Sequence, residues 1–520
     1  MNLNKQLLAV VLLFSTLQSD GQNMNLSSAM LFEGEPFIAQ HPSNPNHLVV
    51  TWMGFVFNSG TGLSIKTKVT FDGGLTWSNT VALPHEDENY AAADPSLAIA
   101  SNGDVLLCYI DHGENPYGGG VYVRKSTDGG LTWGDAILAV DIFADGEEYP
   151  IDRPWFAMSA NGQYVYLTTM PPSFVPAPNR PYLFQSNDGG STWSNFEYVD
   201  GPGGLVGSLV GRPMAAPAMG ENYAYTLYPS YVFSQNPLPT MLLSRQAIGS
   251  DQREYFTALA ANSTSEPGSA KMGYKLLVDP SDENHITAAF IVGEGSDLDV
   301  KVIDTYDGGA TWTDPVRVND DPVGNDRMQD LVWADYDADG DLCVAWRDRR
   351  NADAPGYEQS TEIYAAYRAS GSAIFSANFA LTTGSTEHQA VLEQNGNDFM
   401  SLAFHADTLH AVWGSTIDGS LDIWYARRAI EDVINHVPVL IHSESKQFNA
   451  YASGAQICVE TYHNKMLSAV ELRSVDGRLV HSCQPLQSKV EMPKGGVSSG
   501  TMIVAVCIDG TWYSQKLIVR

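Results

Sequence analysis

The stretch Ser126-Thr127-Asp128-Gly129-Gly130-Leu131-Thr132-Trp133 decides the fold, because the chain writes it four times. The other copies are Thr70-Phe71-Asp72-Gly73-Gly74-Leu75-Thr76-Trp77, Ser186-Asn187-Asp188-Gly189-Gly190-Ser191-Thr192-Trp193 and Thr305-Tyr306-Asp307-Gly308-Gly309-Ala310-Thr311-Trp312. The four aspartates are spaced by roughly sixty residues, or twice that, and a fixed turn at such a period marks one supersecondary unit used repeatedly.

Asp followed by Gly-Gly is hairpin-turn chemistry. The carboxylate accepts amides of its own turn, and glycine takes positive φ without a Cβ penalty. The Ser or Thr two places earlier adds a hydroxyl to the same network. The Trp five places later is a large apolar body suited to packing between neighbouring sheets. Alternating strands such as Ser64–Val69 and Val121–Arg124 lead into the turn, and short strands such as Val81–Leu83 leave it.

These eight residues resemble the Asp-box, or BNR repeat, of sialidases and related β-propellers. The resemblance implies an all-β propeller in which Asp72, Asp128, Asp188 and Asp307 are structural and the chemistry lies elsewhere. Innermost strands at the same period are expected to begin at Glu35, Asp94, Asp152, Arg212, Met272, Arg327 and His388. That predicts seven blades, with six as the alternative since sialidases proper have six. Boxes are missing from the fourth, sixth and seventh units, and the segment from Asn25 to Leu31 is expected to close the last blade.

The 520 residues suit a large propeller over 23–432 and a smaller β-sandwich over 433–520. A basic start, Met1 to Lys5, and a short apolar run to Leu17 read as a signal peptide over 1–22, so a secreted or outer-surface location is expected. No stretch is apolar for long enough to be a transmembrane helix. The net charge of −31 disfavours nucleic acid, whose phosphates require cations. Five cysteines show no zinc spacing; Cys108 and Cys343 read as buried thiols, and Cys458, Cys483 and Cys507 allow one disulfide. The tail, with Ser474-Val475-Asp476-Gly477-Arg478-Leu479-Val480 and the ending Lys516-Leu517-Ile518-Val519-Arg520, resembles the C-terminal sorting domain of type IX secretion. That resemblance implies the type IX machinery as a partner. The alternative is a carbohydrate-binding sandwich.

Strand parity separates the faces. In a four-stranded antiparallel blade the box joins strands three and four at the lower face. The start of strand one and the loop between strands two and three share the upper face, where propellers carry their funnel. Glu35, Asp94, Asp152, Arg153, Arg212, Asp326, Arg327 and His388 are therefore expected at one mouth, with Arg347, Tyr357 and Glu358 from unit six. They either line a ligand site or pair with one another across blades. The sialidase resemblance implies three arginines on a substrate carboxylate, with Arg153, Arg212 and Arg327 as the candidates. It implies Asp94 as acid/base and Tyr357 with Glu358 as the Tyr–Glu nucleophile, and makes Glu35, Asp152, Asp326 and Arg347 substrate-binding candidates. The opening Arg-Ile-Pro motif of that family is replaced here by Glu35-Pro36-Phe37-Ile38.

Asp335 to Asp341 places carboxylates at alternate positions, as a structural Ca²⁺ loop does, but Trp346 stands where the closing Glu belongs, and an Asp-Gly hairpin is the simpler reading. No other cofactor is expected. The function expected is a monomeric, exported glycoside hydrolase of sialidase type acting on acidic glycans. The alternatives are a non-catalytic adhesin or scaffold that binds glycans or proteins, and a polysaccharide lyase.

Overall fold

The computed structural model describes residues 23–28, 31–56, 62–113, 117–176, 179–200, 214–230, 240–259, 274–294, 297–389, 397–430, 447–453, 456–474, 479–493, 500–508 and 511–519. The signal-peptide segment and Arg212 lie outside them. The chain divides into two compact units, residues 1–429 and 430–520.

Among the described residues, the first unit has seven four-stranded antiparallel sheets, each in simple up-and-down order. Their innermost strands are Glu33–His41, Tyr90–Ile99, Asp152–Met158, Ala216–Met219, Tyr274–Asp279, Gln329–Tyr336 and Ser401–His405. Each lies against the innermost strand of the next sheet, and the last returns to the first, so the sheets close into a propeller. The seventh sheet borrows its outer strand from the other end of the chain. Met24–Asn25 pairs with Trp424 and Tyr425, Leu26 donates its amide to Ile423 (2.8 Å), and the Ser27 hydroxyl reaches Asp422 (2.7 Å). The expected closure is therefore present, in its first residues. The seventh innermost strand begins at Ser401 and not near His388. Residues 381–389 stay with blade six, where Thr361 and Thr386 exchange amide bonds (2.9 and 2.8 Å).

The boxes join strands three and four of blades one, two, three and five. In the second, Asp128 accepts the Thr132 amide (2.9 Å) and hydroxyl (2.6 Å) and the Ser126 hydroxyl (2.7 Å), and Ser126 Oγ accepts the Gly130 amide (2.8 Å). The same four bonds recur around Asp72, Asp188 and Asp307. Gly130 has φ +96°, and a Cβ there would stand 2.9 Å from Val49 of the preceding blade, so close approach as well as backbone conformation requires glycine. Trp133 Nε1 donates to Thr67 of blade one (3.1 Å). The box is thus a turn and an inter-blade stitch.

The second unit has a three-stranded sheet (Phe448–Ser453, Gln456–Thr461, Lys489–Pro493) and a four-stranded one (Leu467–Ser474, Leu479–Cys483, Gly500–Ile508, Thr511–Val519). Their inner faces share one core that includes Phe448, Val459, Leu472, Met492 and Val506, the arrangement of a β-sandwich. All five cysteines are free, so the disulfide that Cys458, Cys483 and Cys507 would allow is not formed. Among the described residues no helix is long and apolar enough to cross a membrane.

Candidate functional site at the propeller axis

The innermost strands begin with a repeated irregularity. Register with strand two shifts between Gly34 and Phe37, Ala93 and Ser96, Asp152 and Trp155, and Asp330 and Trp333. At each bulge one non-glycine residue takes left-handed φ: Glu35 (+53°), Asp94 (+50°), Arg153 (+51°) and Leu331 (+52°). That conformation is costly for a residue with a Cβ, and such strain persists only where surrounding contacts over-determine it. The contacts are these bulges themselves. The Asp94 amide donates to Glu35 Oε2 (3.2 Å), and the Arg153 amide donates to Asp94 Oδ2 (3.0 Å), each across 59 residues.

The side chains two positions past three of these bulges, Phe37, Trp155 and Trp333, turn onto the axis. Trp333 meets Phe37 (centroids 5.3 Å apart) and Trp155 (5.6 Å), and Trp155 meets Phe399 (5.7 Å). Lys275 lies over the Trp333 ring at 4.5 Å, and burial pushes its ammonium down to about 8. Aromatic rings therefore fill the axis beneath a charged upper cluster.

In that cluster Arg153 donates from Nη2 to Asp398 Oδ2 (2.8 Å), sets Nη1 2.9 Å from Met214 Sδ, and lies over the Phe399 ring (5.2 Å). Glu35, Asp94, Arg153 and Asp398 are all buried. Burial, then the charge of Asp94, pushes the Glu35 carboxyl well above the usual carboxylate range, and Asp398 adds in the same sense. The Glu35 carboxyl is thus biased toward its protonated form beside a second carboxylate. Next in the chain to Asp398, Asn397 is 1% exposed and both polar atoms of its carboxamide lack a hydrogen-bond partner among the described residues.

The other expected site residues are distributed differently. Asp152 is half-buried on the same bulge as Arg153. Asp326 is exposed, with φ +59°, and its amide donates to Asp297 (3.1 Å). Arg327 is half-buried; its Nη1 is enclosed without a hydrogen-bond partner among the described residues. Arg347 is buried and forks onto Asp330, with its Nη2 also 3.1 Å from the Tyr357 hydroxyl; Arg349 shares Asp330 (3.0 Å). These guanidinium groups hold Asp330 well below the usual range in spite of its burial. Tyr357 is thus committed to Arg347 while Glu358 points to solvent, and the structure does not bring them together as a pair. Arg153 and Arg327 likewise have separate surroundings. The cleft beside Arg347, lined by Glu362, Thr361, Thr386, Trp413 and Ser415, leaves only about 270 Å³ of space, open solvent included.

Sequence reasoning missed Asp398 and Asp330, the counter-ions that decide where these arginines point. Only the 59-residue step linking Glu35, Asp94 and Arg153 was available to show that Arg153, rather than Asp152, is the ring member.

Two polar clusters lie at the lower face. Asp335 to Asp341 forms the expected hairpin, with Asp337 Oδ1 accepting the amides of Asp339 (3.2 Å) and Asp341 (3.1 Å). Carboxylate oxygens of Asp337, Asp341 and Asp407 come within 4.8 Å of one another, and burial together with Asp339 raises Asp337. The second cluster centres on His285, which bridges Asp279 (2.8 Å) and Asp304 (3.2 Å); Arg368 forks onto Asp304 (2.7 and 2.8 Å). Burial alone would lower the imidazole pKa, but the two carboxylates outweigh it and hold it at about 9.

No family model matches the chain, and no curated protein does. Among solved structures, it is similar to the Hadza microbial sialidase Hz136 (14% identity, 71% of this chain and 73% of that one, TM-score 0.43). It is similar to the NanB sialidase of Streptococcus pneumoniae (12% identity, 78% and 70%, TM-score 0.40). An α-L-arabinanase of Penicillium chrysogenum, solved with arabinobiose, also aligns (15% identity, 62% and 92%, TM-score 0.41). These are likenesses of fold, and the chain's own sheets close into a β-propeller.

Proposed function

We propose that the propeller is a glycoside hydrolase with its chemistry at the axial cluster. Glycoside hydrolysis ordinarily needs one carboxylic acid to protonate the leaving oxygen and a second carboxylate to act as base or nucleophile. Neighbouring titratable groups whose surroundings drive them apart are the usual mark of such a division of labour. The observation that carries the reading is Glu35, buried at the upper end of the axis against Asp94, with its carboxyl raised by burial and by that neighbour. Glu35 is the proton donor, a role first given by sequence to Asp94, and Asp94 or Asp398 is its partner. A preference for acidic glycans finds less support, since the Arg153 guanidinium is already spent on Asp398. Export, and delivery by a type IX system through the C-terminal sandwich, complete the proposal on sequence resemblance alone.

The rival is a binding propeller without turnover. It is favoured by the same bonds read differently: Glu35 and Asp94 each accept an amide of the next blade, which is a knitting role. Glu35→Gln separates the two, because the carboxamide preserves the size of a protonated carboxyl. Assayed on a panel of aryl glycosides and polysaccharides, a hydrolase loses about 100-fold or more in kcat while its Tm barely moves. Unchanged turnover with an intact fold removes Glu35 from the chemistry, and a wild-type protein that binds glycans but releases no sugar establishes the rival.

A further inference from the structure

The upper rim of blades two and three carries a run of exposed aromatic rings that the axial cluster does not use. Phe174 is 63% exposed, Tyr117 58% and Phe143 45%. Scattered exposed apolar residues are ordinary, but a connected row is not. Here the rings are connected. Phe143 meets Tyr149 and Tyr149 meets Phe174, both with centroids 5.8 Å apart, while Tyr117 meets Tyr90 at 6.3 Å. The two groups join through the backbone, where the Ile142 amide donates to Gly119 (3.1 Å).

The backbone is shaped around these rings. Tyr149 takes left-handed φ (+47°) at the end of a single helical turn, Gly146–Glu148. Gly113 lies so close to the Tyr117 ring that a Cβ would overlap it, and a Cβ at Gly118 would stand 2.8 Å from the Tyr90 hydroxyl. Glycines and a strained tyrosine thus make room for the rings, which meet at tilted or edge-on angles of 55° to 66°.

Charge narrows the ligand. Asp87, Glu88, Asp141, Glu147 and Glu148 are exposed around the row, and segments 84–93, 111–120, 141–152 and 171–179 contain no Lys or Arg. Such a rim repels anionic polymers. It suits a partner with apolar C–H faces to lay on rings and hydroxyls to donate to carboxylates. The geometry points to a binding shelf for an uncharged glycan chain, running from Phe174 through Phe143 to Tyr117 beside the axial site. The inference rests on the glycan reading above and sets the substrate class as neutral.

The test is calorimetric titration of the full chain with neutral glucan, arabinan, galactan and mannan oligosaccharides, alongside polygalacturonate and sialyllactose. A neutral oligosaccharide binds, the anionic probes do not, and Phe174→Ala and Tyr117→Ala each weaken binding about tenfold, a loss of one stacking contact. Both side chains are mostly exposed, so Tm stays near wild type. Variants that bind as the wild type does, binding of the anionic probes alone, or no binding of any neutral oligosaccharide overturns the shelf. Neutral-glycan binding that depends on Phe174, with no bond ever cleaved, leaves the shelf standing and removes the hydrolase. Glu35-dependent cleavage that is indifferent to Phe174 and Tyr117 does the reverse.

Discussion

The lower and upper ends of the same blades solve one backbone problem in opposite ways. Both need left-handed φ where strands turn or bulge. At the lower face the box assigns that conformation to paired glycines, as at Gly129 (+77°) and Gly130 (+96°), and closes its polar groups within eight residues. At the upper axis the conformation falls to Glu35, Asp94 and Arg153, and their polar groups are satisfied only by the next blade or by Asp398 across the mouth. A local turn is stable wherever it is written and can be copied. A ring of strained, charged residues depends on all its neighbours, and strain of that kind collects where groups are held ready for a ligand or a reaction.

Removing a charge from the ring should break the contrast most visibly. Arg153→Met takes a guanidinium away from buried Asp398, and a loss on the order of 3 kcal/mol or more is expected in urea unfolding. A loss below 1 kcal/mol would place that pair in water and undo the picture of a closed ring. Gly130→Ala tests the lower face through sterics and backbone together, since the new Cβ meets Val49 at 2.9 Å with φ at +96°. It should cost about 2 kcal/mol and leave turnover alone.

Asp128→Ala removes only bonds internal to an exposed turn. About 1 kcal/mol is expected by thermal melting, again without effect on turnover. An equal loss of activity there would mean that box and mouth are coupled. The smallest effect is in pH. His285 is raised to about 9 from 6.5, so its contribution is full below pH 6.5 and disappears as pH rises through 9. Melting temperature should fall across that window, and His285→Gln should flatten the profile. Glu35, also raised, acts in the same direction: the stability it contributes is full below 4.5 and is lost as pH climbs through its folded value.

Much of the fold was legible because its signals are local. Asp72, Asp128, Asp188 and Asp307 each carry a complete turn within eight residues, and the period between them located all the innermost strands but the last. That one was misplaced by about a dozen residues, since residues 381–389 extend blade six and no turn signature flags them. In the mouth, residue types were legible and partners were not. Arg153, Arg347, Tyr357 and Glu358 look alike in sequence as polar groups near strand ends. Whether a guanidinium is open to a ligand depends on carboxylates such as Asp398, brought from 245 residues away.

The sequence by itself determined the repeating blade, the lower-face turns and the change of composition at the tail, because hydrophobic alternation and Asp-Gly-Gly geometry act over a few bonds. Only the tertiary structure decided that Met24–Asn25 closes the ring and that Arg153 is neutralised by Asp398. It also decided that Glu35 stands buried against Asp94, and that five aromatic residues from separate segments lie along one rim. Each of these rests on burial and on distances between residues far apart in the chain, which exist only once the seven sheets have closed.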